Sequence, residues 1–148
     1  MAGSLTNAAE TNLLELIFNN TDWENIGDAA GIQNSASAGN LYVALFTAAP
    51  SDSAAGTECS YTGYARVAVA RSSAGWTVSG NNASNAAAVT FPQNTGSSQT
   101  AIAFGILTAS TSGDLLFWGD ITDPVAGLVI GTNVTPSFAI GAIDVNAD

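Results

Sequence analysis

Asp120 and Asp123 stand three apart, the sort of acid pair that hydrolysis of a glycosidic bond requires. Their setting argues for turn chemistry instead. Asp120 closes an apolar run and Asp123 precedes Pro124. Asp22, Glu24 and Asp28 come nearest to the regular oxygen spacing of a calcium loop, but they lie in a polar, Gly/Ala/Ser-rich stretch where solvated acids are the plainer reading. Cys59 is the only cysteine, so no intrachain disulfide can form. The chain has no histidine, and the loop of Cys59 has no basic neighbour to lower its pKa, so an inert thiol is expected. The lack of histidine also removes the Ser-His-Asp triad and the commonest metal ligand. Phosphate-binding, dinucleotide and nucleophile-elbow motifs are missing as well. The residues therefore predict no catalytic site, no cofactor and no metal site.

Charge says more. Arg66 and Arg71 are the only cations, against 12 acids, giving a net charge of −10. Such a chain cannot displace counterions from phosphate, and an anionic membrane repels it, so neither nucleic acid nor membrane is an expected partner. With cations this scarce, an arginine beside an apolar run is expected to meet a carboxylate. Glu58 is the leading partner for Arg66. The pair is either an internal ion pair, worth little if exposed, or an intersubunit contact that fixes register. Trp23, Trp76 and Trp118 could stack on a sugar, but core or interface packing suits their positions better.

The elements that would carry these residues are mostly strands. A helix is predicted over residues 8–18, with Asn7 as N-cap and Glu10 reciprocating three residues later. Leu13 with Ile17, and Leu14 with Phe18, repeat at i,i+4 along one stripe. That stripe either packs on a sheet or docks on a neighbouring subunit as an arm. Residues 21–40 are polar, anchored by Trp23 and Ile26. Strand patterns follow at 41–48, 64–71, 76–79, 87–91, 128–130 and 137–145, with loops at 50–63 and 93–99. The longest apolar region, residues 100–121, breaks once at Ser-Thr-Ser-Gly-Asp and alternates on both sides, so it reads as a hairpin of two buried strands. About eight strands at regular spacing predict an all-β fold. It would be a single domain over residues 1–148, a jelly-roll or Greek-key β-sandwich at 41–148 with a short N-terminal α-helix and arm at 1–40. The 148 residues suffice for one full core, and the N-terminus lacks the basic region of a signal peptide.

The segments LTNAAETNLLELIF, LYVALFTAAPSDSAAGTE, GYARVAV, VTFP and IAFGILTASTSGDLLFWGDI together resemble a family of small tailed-phage structural proteins, over residues 5–145. The chain is most similar to capsid cement or decoration proteins, a group whose members also pass as tail or fibre proteins. One departure is Leu107-Thr108-Ala109, where such chains carry an aromatic followed by Asp-Ala. The resemblance implies a non-enzymatic virion protein on the capsid surface. It would bind the major capsid protein as a symmetric homo-oligomer, with a trimer the first guess, and stabilise the expanded head. Leu13, Leu14, Ile17, Phe18, Trp23, Glu58 and Arg66 are the interface candidates. The alternative is a tail or fibre component, or adaptor, that binds host surface glycan or another virion protein.

Overall fold

A computed structural model describes residues 4–147. One helix, α1 (Asn7–Phe18), precedes a succession of short strands. The cap lies one residue earlier than the sequence suggested. Thr6 is the N-cap, and its hydroxyl accepts a hydrogen bond from the Ala9 amide at 3.4 Å. Asn7 is thus the first helical residue. The helix stops at Asn19, where Asn20 enters the left-handed region at φ 57°.

The strands are β1 (Asn40–Ala48), β2 (Thr57–Glu58), β3 (Val67–Ala70), β4 (Trp76–Ser79), β5 (Asn82–Asn85) and β6 (Val89–Thr90), then β7 (Gln99–Ala101), β8 (Ala103–Leu107), β9 (Leu115–Asp120), β10 (Leu128–Ile130), β11 (Ser137–Phe138) and β12 (Asp144–Asn146). The fold is all-β with one short N-terminal helix, and every pairing with a resolved register is antiparallel. Among the described residues twelve strands replace the expected eight or so. Residues 50–63 read as loop and residues 80–86 lie between the expected strands, yet they contribute β2 and β5. The single strand expected over 137–145 is broken in two by a turn in which Gly141 has φ 72°.

The chain gathers into two compact units. The first takes residues up to Asn40, Ala70–Ala88 and Ala139 onward, and the second takes Leu41–Val69 and Val89–Phe138. In the first, β4, β5 and β12 form one sheet with β5 central, and α1 packs against β4 and β5. Leu14, Phe18 and Trp76 are fully buried, and the Phe18 and Trp76 rings meet edge to face at 4.8 Å. Asn85 is buried as well. Its amide donates to the carbonyls of Ala87 and Ala139, and its oxygen accepts from the Ile143 amide.

In the second unit β8 runs between β1 and β9 in a five-stranded sheet, and β2 and β3 also pair with β1. All five residues of β8 are buried. Gly105 is required there, because a Cβ would come within 2.7 Å of Leu115 and 2.8 Å of Phe46. Tyr61, Tyr64, Phe91, Phe138 and Phe104 follow one another in ring contact at 5.2–6.4 Å between centroids. Two small ladders, β7–β10 and β6–β11, complete the unit. Between them Asn94 is fully buried, donating to Ser97 and Ile130 carbonyls and accepting from the Gly96 amide.

The hairpin expected over 100–121 is present as β8 and β9, with Ile106 opposite Phe117 and Gly105 opposite Trp118, but its first strand breaks at Ile102 and Thr100–Ala101 pair in β7 with β10 instead. Its two strands are not equally buried. β9 ends the strand order, so it is an edge, and Leu116, Trp118 and Asp120 are exposed on it. Packing of Trp118 in a core is therefore corrected, since 41% of it is open to solvent. No helix among the described residues is long and apolar enough to cross a membrane.

Candidate functional site

Polar contacts are densest where β2 meets the tip of the β8–β9 hairpin. The Arg66 guanidinium grips Glu58 through both ends, Nε to Oε1 at 2.9 Å and Nη2 to Oε2 at 2.8 Å. This is the pairing that the charge imbalance predicts. Nη1 then donates to the Ala109 and Ser112 carbonyls, each at 2.7 Å, so one side chain pins the hairpin turn. Tyr64 donates its hydroxyl to Glu58 Oε1 at 2.7 Å and accepts from the Leu45 amide at 3.1 Å, extending the network into β1. The guanidinium side chain is only 10% exposed, and a forked pair so placed is stronger than a loose surface contact.

Burial alone would raise the pKa of Glu58. The hydrogen bonds from Arg66 and Tyr64 and the Arg66 charge outweigh it, so the carboxyl lies below its ordinary range. Beside it a cavity of about 660 Å³ is lined by Cys59, Tyr61, Tyr64 and Ser110 among others. Burial, with Glu58 nearby, pushes the Cys59 thiol up to about 11. Burial, then the Cys59 charge, pushes Tyr61 up to about 12, and Tyr64 is raised further, mainly by burial. None of these shifts brings a group into the range where it could shuttle protons at neutral pH. The cluster is a clamp that fixes a turn.

Arg71, which sequence reasoning left without a role, caps α1 in the first unit. Its Nη2 donates to the Leu16 carbonyl at 2.6 Å, its Nε to the Ile17 carbonyl at 2.7 Å and its Nη1 to the Ala38 carbonyl at 3.3 Å. The signal for it was available: the last turn of α1 has no basic residue, so its free carbonyls needed a donor from elsewhere.

The other expected residues fall into two groups. Leu14 and Phe18 are wholly inside the first unit, while Leu13 and Ile17 beside them are partly covered. Trp23 is half-buried, its backbone bridged to Ile32. Asp120, Asp123, Asp22, Glu24 and Asp28 are all exposed, and no three His, Cys, Asp or Glu side chains among the described residues cluster as metal ligands.

A second concavity, of about 350 Å³, lies between residues 51–55 and the outer side of β9, with Asp52, Ser51, Ser53, Leu116 and Trp118 on its walls. An exposed indole that shares a concavity with a carboxylate is suited to surface contact.

The family model described as Podophage GP4 fiber I protein gp80 matches residues 4–146. The chain belongs to this family. The match takes in residues of both compact units. The protein is a phage structural protein and a part of the virion. Among curated proteins none matches it. The fibre description agrees with the tail-or-fibre alternative better than with capsid cement.

Proposed function

We propose that this chain is a non-enzymatic fibre component or adaptor that joins other virion proteins by surface contact. The observation that carries the reading is the match of a phage fibre family over residues 4–146. Three features support it. The turn at the hairpin tip is clamped by Arg66, so the edge strand β9 is presented on a stiff mount. The exposed carboxylates are dispersed, and the shifted groups lie away from neutral pH. The chain lacks lysine, a residue depleted at the centres of protein interfaces. Assembly as a symmetric homo-oligomer is part of the proposal.

Copy number tests it. A stained gel of purified particles should show this chain in tens of copies, the stoichiometry of a tail appendage. Hundreds of copies, with a fall in capsid melting temperature when they are stripped, would return the protein to the cement role.

A further inference from the structure

The chain's two cations are both spent internally. Arg66 is held by Glu58, Ala109 and Ser112, and Arg71 by the carbonyls of Leu16, Ile17 and Ala38. Glu58 is the one acid in an ion pair among the described residues. Neither arginine side chain is thus left over to pair with the exposed acids. A second copy of the chain has no free arginine or lysine to bring.

The groove between residues 51–55 and β9 combines an exposed indole with a carboxylate. Trp118 is 41% and Leu116 39% exposed, an apolar floor on an edge strand. Asp52 and the hydroxyl residues Ser51 and Ser53 line the same concavity. Exposed Asp114 and Asp120 flank the strand at its two ends. A cation laid over an indole face and paired with a nearby carboxylate gains from both interactions, and arginine suits this best because its planar head stacks and forks at once. The strand between the two aspartates, LLFWG, carries no lysine or proline to guard the edge.

We infer that the Trp118–Asp52 groove is a docking site for an arginine-bearing extended segment of a neighbouring virion protein. This deepens the fibre-adaptor reading and rests on it for the identity of the neighbour. The recognition chemistry is a guanidinium between an indole and a carboxylate, with apolar stem atoms against Leu116.

The test uses the full chain and a synthetic Gly/Ser peptide carrying two arginines, with a citrulline twin that keeps the shape and removes the charge. Binding is followed by calorimetry and tryptophan fluorescence at low salt. The arginine peptide should bind, its citrulline twin should not, and Trp118→Ala and Asp52→Asn should each weaken binding by about tenfold. The doubly neutralised control Glu24→Gln/Asp28→Asn removes more charge far from the groove in sequence, and should weaken binding by less than about twofold. Equal weakening by that control would show unspecific attraction to an acidic protein and overturn the proposal. So would equal binding of the citrulline peptide, no binding at all, or binding of a neutral methyl glucoside that quenches Trp118 in place of the peptide. Arginine selectivity in a protein found on the head shell would keep the groove and sink the fibre reading. The reverse pair of results would do the opposite.

Discussion

Arg71 in the first compact unit and Arg66 in the second do comparable work with different partners. Arg71 gives its protons to neutral carbonyls at the end of a helix. Arg66 gives its protons to a carboxylate and then to the carbonyls of a turn. Each unit also holds one buried asparagine that serves loop backbone, Asn85 in the first and Asn94 in the second. The difference is that a titratable group enters the polar network of the second unit and not the arginine cap of the first. A chain almost without cations uses each as an internal fastener, and leaves its outer surface to the acids.

Several substitutions break or sharpen that comparison. The largest cost should come from the aromatic cores. Trp76→Ala in the first unit and Phe91→Ala in the second each remove a fully buried ring and should lower stability by about 3–5 kcal/mol in denaturant titrations. Trp118→Ala, by contrast, should stay within about 0.5 kcal/mol, because that ring faces solvent on an edge. Next are the asparagines. Asn85→Ala and Asn94→Ala each strand buried backbone groups and should cost about 2–3 kcal/mol apiece.

The arginines then separate by pH. Glu58→Ala leaves a mostly buried guanidinium half-paired and should cost about 2–3 kcal/mol at pH 7. Because the folded carboxyl lies below its ordinary value, the stability it adds is complete above about pH 4.3 and is lost as pH falls through the folded value. Melting curves between pH 7 and 3 should therefore show an acid-dependent loss in the wild type that is reduced in Glu58→Gln. Arg71→Ala should cost about 1–3 kcal/mol by nearly the same amount at pH 7 and pH 4, since its carbonyl partners do not titrate. A cost that fades in acid would mean that Arg71 relies on a carboxylate after all. The smallest effect is chemical. Cys59, with its thiol pushed up to about 11 by burial, should react with iodoacetamide at least about tenfold more slowly in the folded than in the unfolded chain.

How much of this was legible depended on whether side chains or backbone decided each element. β4 and β10 appear with the bounds that their flanking glycines predict, and the hairpin turn at 110–114 is in place, although the strand before it splits at Ile102. Glu58 and Arg66 are matched by charge scarcity together with the place of Arg66 beside an apolar run. β5 was hidden because its sequence, Asn-Ala-Ser-Asn, has no strand propensity, and its place is set by ladders on both sides and by the Asn85 side chain. β2 is two residues long and pairs with β1 across an irregularity in register, which no local pattern announces. The exposure of Trp118 was missed for a related reason. A run apolar on both faces reads as buried, and only strand order shows that β9 is an edge. The cap moved from Asn7 to Thr6 because both residue types serve, and backbone geometry chose between them.

The claim on which the rest depends is that this fold joins virion parts at the fibre. Its most direct test is the position of the chain in a cryo-electron image of the intact particle, found by fitting the two compact units into density. The account predicts density of this shape on the tail appendages, with the β9 edge and Asp52 against a neighbouring protein. Finding it instead spread over the head shell, bound to the major capsid protein, would contradict the account.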